Sequence, residues 1–317
     1  MDMRSSVDVR AFSLMVFFCL IIGMQQVLLK GTGADISPVL QLALRSGIAA
    51  LLVAAYIAVR REKLEFGAGN WKPGVVVGVL FSMEYLLLGE ALLRTSAAHS
   101  VVFLYTSPIF SAVILHFKVH TERLSPLQWL GIALAFSGIA LAFMGGDSAP
   151  SGQLPVDRSA MLVGDLLALL AGASWGLTTV VIRSSSLAHL SPNQTLLYQL
   201  LGAFVLLSLA AVLLGRNSFN PTPEALFSLG FQSVMVSFVG FLIWFWLLRH
   251  YRASQIGVLS FMTPLFGVVL GAWLLGEALE PSFLFGSALV IAGIVMVSGY
   301  GWLASLKRPR SGQWLRD

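Results

Sequence analysis

Residues 97–110 read AAHSVVFLYTSPIF, an apolar stretch interrupted by a proline, and residues 253–266 read ASQIGVLSFMTPLF. At a separation of 156 residues Pro108 aligns with Pro264, and the alanines and phenylalanines at the two ends of the stretch also coincide. The same kind of segment therefore occurs twice in the chain.

The repetition extends beyond these two segments. Glu122 and Glu277 are each followed, at identical spacings, by a leucine, a proline and two glycines. Matches at separations of 153–156 residues cover most of both halves, which one coincidental proline would not produce. We predict an internal duplication with repeats at 1–150 and 151–317.

The composition indicates a membrane protein. Of the 317 residues, 57% are hydrophobic and only 11% are charged, whereas a soluble chain carries about 25% charged residues. The net charge of +5 is spread over short clusters beside apolar runs, so we expect no nucleic-acid partner. Cys19 is the single cysteine, which excludes an intramolecular disulfide and a thiolate metal cluster. We expect no cofactor and no metal.

Ten segments are apolar and long enough to cross a bilayer, which takes about 20 residues. Several begin at or near a proline, which the first turn of a helix tolerates because an N–H would have no partner there. The predicted spans are 11–29, 38–59, 73–92, 97–116, 125–144, 161–181, 192–214, 223–248, 253–275 and 281–303.

The loop charges predict the orientation of these spans. With the N-terminus inside, fifteen Lys and Arg residues fall on the cytoplasmic side, and four fall on the other side, namely Lys30, Arg94, Arg158 and Arg216. Such an excess is the positive-inside pattern. We therefore predict that both termini are cytoplasmic.

The number of spans in each half has a geometric consequence. Because five is odd, equivalent spans of the two halves cross in opposite directions, and the halves are inverted about an axis in the membrane plane. The sequence predicts an all-α membrane protein with ten transmembrane helices in two inverted five-helix repeats. This architecture is typical of transporters.

The repeated motifs resemble those of a known family. YTSP at 105–108 and FMTP at 261–264 lie in the fourth span of each half, and ERLSPLQWLGIALAFSGIALAF at 122–143 is echoed by EALEPSFLFGSALVIAGIVMV at 277–297. The chain is similar to the drug/metabolite transporter superfamily, and more narrowly to the bacterial EamA-type ten-helix permeases. The resemblance implies an exporter of amino acids, metabolites or toxic compounds in a bacterial inner membrane, with a central cavity lined by spans 1, 3, 4, 6, 8 and 9.

Two charged residues lie within predicted spans. Glu84 is near the middle of the third span, and an acid at that depth is expected to face a cavity or a partner, where it can bind a proton or a substrate amine. Arg45 lies in the second span, and its guanidinium suits a substrate carboxylate. The alternatives are structural: the two side chains pair with each other, or Arg45 extends to the interface or braces the third span.

His99 begins the fourth span at its predicted outer end. A histidine changes its charge near neutral pH and can join a proton relay, although a histidine at this level also serves as a simple hydrogen-bonding group. Gln255 occupies the matching position of the second half. A titrating role would therefore belong to one half alone.

Pro108 and Pro264 each lack the N–H that would bond to a carbonyl one turn earlier in the helix. A carbonyl freed in this way within a membrane must face protein or a water-lined cavity. We predict that both prolines are hinges beside the transport pathway, and a rigid kink is the alternative.

Aromatic side chains recur near the middle of the spans. Tyr85, Tyr105, Trp175 and Phe261 either pack helices together or line a cavity. Together they favour a pocket for an amphipathic solute over a site for a bare ion. With Arg45, Glu84, His99 and Gln255, these residues form the predicted group for substrate binding or coupling.

We predict a secondary transporter that exports small metabolites, amino acids or amphipathic drugs by alternating access. Its partners would be a small-molecule substrate, protons if transport is coupled, and the lipid bilayer; both a monomer and a homodimer remain open. The chain contains no G-x-x-x-x-G-K-[ST] loop for ATP. The alternatives are a facilitative carrier, a non-transporting membrane scaffold and an intramembrane enzyme, and no convergent set of catalytic groups within the spans favours the last.

Overall fold

The computed structural model describes residues 8–65, 67, 69–118, 124–144, 158–251, 256 and 259–307, and these residues form helices joined by short turns. Within them the one β contact is an isolated bridge between Ile36 and Phe219. In chain order the helices are α1 (Val9–Gly31), α2 (Pro38–Arg60), α3 (Trp71–Leu92), α4 (Ala97–Leu104), α5 (Ser107–Lys118), α6 (Pro126–Met144), α7 (Arg158–Ser184), α8 (Pro192–Leu213), α9 (Pro223–Phe231), α10 (Phe241–His250), α11 (Met262–Leu275) and α12 (Pro281–Lys307).

Several helices begin where local sequence supplies a proline and a cap. Pro192 and Pro223 lie in the first turn of α8 and α9, where the missing N–H costs no hydrogen bond. The Ser191 hydroxyl accepts a hydrogen bond from the backbone of Gln194, and the Thr222 hydroxyl caps α9 in the same way. These starts agree with the predicted spans.

Ten apolar helical segments correspond to the ten predicted spans. Seven are long and apolar enough to cross a membrane, and three shorter apolar helices complete the set, namely Pro126–Ala142, Met262–Leu275 and Pro281–Val297. Large apolar side chains face outward, including Leu51 at 74% exposure and Trp273 at 77%. In a membrane these side chains would contact apolar lipid, whereas in water the exposure of so much apolar surface would be unfavourable. The all-α membrane fold is confirmed.

Three of the predicted spans are not continuous α-helices. The fourth stops at Leu104 and resumes at Ser107, because Pro108 cannot donate a hydrogen bond to the preceding turn. In the ninth, residues 260–261 form a turn, and α11 begins directly after it at Met262, two residues before Pro264. The eighth consists of α9, a nine-residue π-helix (Gln232–Gly240) and α10.

The helices pack in pairs that bring the two halves of the chain together. Helix α6 packs along α12, α2 along α8, α3 along α7 and α8, and α1 along α11. Glycines permit the closest of these contacts: a Cβ built at Gly138 of α6 would lie 2.5 Å from the carbonyl oxygen of Gly286 of α12.

Buried apolar residues form two large clusters. One is centred on α1, α2, α3 and α8, and the other on α4, α5, α6, α11 and α12. Trp175 of α7 packs against both clusters. Tyr85 packs against the first cluster, and Tyr105 and Phe261 belong to the second.

Candidate functional site

Arg45 of α2 and the adjacent Glu84 and Tyr85 of α3 form the charged part of the site. Arg45 is 1% exposed and Glu84 is 5% exposed. The guanidinium carbon of Arg45 lies 4.4 Å from the centroid of the Tyr85 ring, a cation–π contact. The close approach of Gly89 to the backbone of Val39 holds the two helices together one to two turns away.

The buried charges retain unused hydrogen-bonding capacity. In the part of the chain that the structure describes, Nε and Nη1 of Arg45 and Oε2 of Glu84 are buried without a hydrogen-bond partner, and no ion pair joins the two side chains. An uncompensated buried charge costs several kcal/mol. Arg45 and Glu84 are thus close neighbours of opposite charge without a hydrogen bond between them.

Tyr105 lies at the break between α4 and α5, beside Pro108. The Thr106 hydroxyl donates a 2.6 Å hydrogen bond to the carbonyl oxygen of Phe103 and so satisfies one acceptor at the end of α4. Tyr105 is buried, and its ring meets that of Trp175 edge-on at 5.3 Å between centroids.

Phe261 lies at the matching break before α11 and packs in the same apolar cluster as Tyr105. Cys19 of α1 lies against this turn, and its thiol is 3.6 Å from the carbonyl oxygen of Leu259 and 3.8 Å from that of Ser260. Sequence reasoning missed this role of Cys19, because the contact joins residues about 240 positions apart.

His99 lies apart from this group and pairs with an acid that sequence reasoning missed. Its Nδ1 is 2.9 Å from Oδ2 of Asp165 on α7, and the Thr95 hydroxyl donates a 2.5 Å hydrogen bond to Oδ1. The imidazole also stacks on Phe283 at 3.9 Å. An aspartate inside the sixth predicted span was the available signal. Gln255, the counterpart of His99, lies outside the described residues.

A second acid joins the halves at the same end of the bundle. Both carboxylate oxygens of Glu277 accept hydrogen bonds from the first backbone amides of α4, at 2.6 Å from Ala97 and 3.0 Å from Ala98. The Lys30 ammonium donates hydrogen bonds to the carbonyl oxygens of Leu92 and Thr95. We call this the Gly31 end of the bundle, and the opposite one the Arg60 end, after the last residues of α1 and α2.

Glutamine and hydroxyl side chains connect α2 to α9 and the π-helix. Oε1 of Gln41 lies 3.1 Å from the Ser228 hydroxyl and 3.1 Å from Nε2 of Gln232. Oε1 of Gln232 is buried without a partner among the described residues. The π-helix thus begins with a polar group one helical turn from the level of Arg45.

Charged groups beyond the spans hold the helix ends. Hydrogen bonds from Arg216 reach Glu90 at 2.7 and 3.0 Å, and this partnership raises the pKa of Arg216. At the Arg60 end, the backbone N–H of Ala11 lowers the pKa of Asp8 below its ordinary 3.8. Removal from water, together with the Asp8 carboxylate, raises the pKa of Tyr251.

Within the described residues no three His, Cys, Asp or Glu side chains converge in a way that could hold a metal ion. The unused atoms of Arg45 and Glu84 instead suit an organic ligand with charged groups of both signs.

Comparisons with known proteins agree with this architecture. The sequence profile described as "EamA-like transporter family" matches twice, at residues 9–144 and 162–299. A solved crystal structure superimposes with a TM-score of 0.64 at 19% identity and covers 95% of this chain and 100% of that one. At that identity the likeness concerns the fold alone.

Curated relatives are similar over most of their length. "Uncharacterized transporter YoaV" of Bacillus subtilis is 26% identical over 83% of this chain and 87% of its own. "Uncharacterized transporter YvbV" of the same organism is 26% identical over 93% and 94%. A "Probable amino-acid metabolite efflux pump" of Escherichia coli is 23% identical over 83% and 98%.

Proposed function

Because the chain belongs to the EamA-like transporter family and is a multi-pass membrane transporter, we propose that it exports small metabolites, amino acids or amphipathic compounds by alternating access. The proposed substrate site is the group of Arg45, Glu84 and Tyr85, with Tyr105, Trp175 and Phe261 as its aromatic wall.

The observation that carries the proposal is a pair of buried opposite charges with unused hydrogen-bonding atoms. The stack on Tyr85 leaves Nε and Nη1 of Arg45 each free to donate a hydrogen bond to a substrate carboxylate oxygen. Oε2 of Glu84 is free to accept a hydrogen bond from a substrate amine. A solute with both groups would compensate both charges at once, which supports the amino-acid-like part of the proposed range.

The two helix breaks support a hinge at each proline. Pro108 and Pro264 lie next to the turns that interrupt the fourth and ninth spans, and Tyr105 and Phe261 occupy those turns. A discontinuous helix can change its angle with few lost hydrogen bonds, and such helices form the sites of many secondary transporters. Movement at these turns would change access to the proposed site.

The packing of the helices supports two inverted repeats as the moving units, 1–150 and 151–317. If each half contains five equivalent spans, a two-fold axis pairs the second span with the seventh and the fifth with the tenth. The contacts of α2 with α8 and of α6 with α12 have that symmetry. If the two halves exchanged their conformations, the proposed site would open first to one side of the membrane and then to the other.

The distribution of Lys and Arg supports a bacterial inner-membrane location with the Arg60 end and both termini in the cytoplasm. In this orientation export carries the solute from the Arg60 end to the Gly31 end. A proton gradient would supply the energy of a coupled exporter, and a facilitative carrier would move the same solute without it.

A ligand screen tests the site directly. Purified wild type, Glu84→Gln and Glu90→Gln would be unfolded by heat in the presence of amino acids, amines, nucleosides and cationic drugs. A ligand that binds only the folded protein raises the midpoint, by about 5–10 °C at 100 times its Kd. Glu90 is the matched control, because it lies on the same helix but is already paired with arginines.

We expect one solute class to stabilise wild type and Glu90→Gln but not Glu84→Gln. An equal response of all three proteins would overturn the role of Glu84 in recognition. If nothing in the panel binds, the proposed substrate range is wrong and a non-transporting scaffold gains support. With a ligand identified, flux into vesicles that does not depend on a pH gradient would identify a facilitative carrier.

A further inference from the structure

A second polar group, distinct from the proposed substrate site, joins the two halves at the Gly31 end. We call Thr95, His99 and Asp165 the Asp165 cluster. Thr95 precedes α4, His99 lies in its first turn, and Asp165 lies in the second turn of α7. Its carboxylate therefore links a helix of the second half to two elements of the first.

The Asp165 cluster is almost completely buried near the Gly31 end. Asp165 is 0% exposed and His99 is 4% exposed, and Phe283 of α12 covers one face of the imidazole. Both carboxylate oxygens are within 3.1 Å of Nδ1 of His99. The pair thus lies in an environment where a change of one proton alters its electrostatic energy far more than it would in water.

Other charged groups around the Asp165 cluster are already occupied. Lys30 of α1 is held by carbonyl oxygens of the α3–α4 turn, and Glu277 by the first amides of α4. Arg94, whose Cβ lies beside Gly164, bonds to Glu90. The contacts of the Asp165 carboxylate are the imidazole of His99 and the Thr95 hydroxyl.

We propose that the His99–Asp165 pair is a proton-binding site whose occupancy controls how firmly α7 is held against α3 and α4. With the proton bound, an imidazolium faces the carboxylate as an ion pair. When the proton leaves to water at the Gly31 end, a neutral imidazole and the Thr95 hydroxyl remain as hydrogen-bond donors. The attraction between the halves is then weaker.

The opposite end of the bundle contains a matching contact without a histidine. At the 156-residue separation of the repeats, Thr95 corresponds to Tyr251, and the Tyr251 hydroxyl lies 3.0 Å from both carboxylate oxygens of Asp8. The neighbouring His250 contacts the carbonyl oxygen of Trp246. The contact at the Gly31 end therefore contains a histidine, and the corresponding contact at the Arg60 end contains a tyrosine.

The effect of this proton site on transport rests on the proposed function, but the binding of the proton does not. The proton site itself is tested by NMR on solubilised protein carrying ¹⁵N-labelled histidine rings, with the His99 signal identified by its loss in His99→Gln. We expect this signal to change between pH 5 and 8 as the ring gains a proton. In Asp165→Asn, which removes the carboxylate, the pH dependence of the His99 signal should differ from that of wild type. A His99 signal that is constant from pH 5 to 8 overturns the proposal.

Thermal unfolding gives an independent measurement should Asp165→Asn not fold. The wild-type midpoint should fall by about 2–4 °C between pH 5.5 and 8, this dependence should disappear in His99→Gln, and it should persist in Tyr251→Phe. The same pH dependence in wild type and His99→Gln would refute the site. Neither readout needs a substrate, so a failed ligand screen would leave a positive result here intact.

Discussion

At the scale of single residues, Asp8 fastens the first helix at the Arg60 end. Its carboxylate accepts a 2.8 Å hydrogen bond from the backbone of Ala11, which caps α1, and a second from the Tyr251 hydroxyl beyond α10. The positive end of the helix dipole favours the ionised carboxylate at this position. The N-terminus of the first half is thereby tied to the end of a helix of the second.

The lowered pKa of Asp8 predicts a specific dependence of stability on pH. Because the pKa is lower in the folded protein than the ordinary 3.8, the ionised carboxylate contributes stability above about pH 4, and this is lost as the pH falls through the folded value. Asp8→Asn keeps the shape without the charge. We expect its unfolding midpoint to lie below that of wild type at pH 7 and to approach it near pH 3. If the difference between the two unfolding midpoints is the same at pH 3 as at pH 7, the Asp8 carboxylate does not stabilise the fold through its charge.

The sequence predicted which single residues are unusual, but not their partners. Glu84 and Arg45 could be identified because charges within apolar runs are costly. Their geometry could not, because the stack on Tyr85 depends on how α2 and α3 pack. His99 was placed with the proposed substrate group, whereas its partner is Asp165, 66 residues away. Such contacts depend on tertiary structure and leave no local pattern.

At the scale of elements, the contact between α6 and α12 depends on four glycines. Gly131 and Gly138 of α6 face Gly293 and Gly286 of α12 so closely that a Cβ at any of them would meet the opposing backbone. Within a membrane there is no hydrophobic driving force between helices, so the dispersion forces of close packing stabilise this contact. This pair of helices therefore acts as one packed unit.

An added methyl group should separate these two helices. Gly138→Ala would place its Cβ 2.5 Å from the carbonyl oxygen of Gly286, and overpacking of this kind costs about 1–3 kcal/mol. We expect the unfolding midpoint to fall by roughly 2–10 °C. Gly230→Ala is the control, since its Cβ would meet nothing within 4 Å and alanine favours the helix. Equal midpoints for the two variants would show that the close contact is unimportant.

The elements themselves were largely predictable. Length and hydropathy located the apolar segments, and prolines located several starts, because both depend on local sequence. The interruptions in the fourth and ninth spans followed from Pro108 and Pro264, but the sequence did not indicate whether the helix bends or stops. The π-helix had no sequence signal at all, since Gln232–Gly240 contains neither a proline nor a charge.

At the scale of the whole molecule, the predicted orientation can be checked by labelling. Ala188 and Asn217 are exposed in loops at opposite ends of the bundle, and the native Cys19 is buried and should not react. In intact cells, a membrane-impermeant maleimide should label Asn217→Cys and reach Ala188→Cys only after permeabilisation. The reverse pattern would invert the assignment, and labelling of both in intact cells would contradict the single membrane crossing by α8 that separates the two sites.

The π-helix in the eighth span gives the chain a tolerance for changes in length. A π-turn accommodates about one residue more than an α-turn over the same arc. Loss of the exposed Val234 could therefore be absorbed by conversion of the π-helix to an α-helix, with α9 and α10 keeping their facing directions. Loss of one residue in the middle of α8 would instead rotate everything beyond it by about 100°. The Gln232–Gly240 segment is thus the place where this protein could gain or lose a residue during evolution and still present the same surfaces to its neighbours.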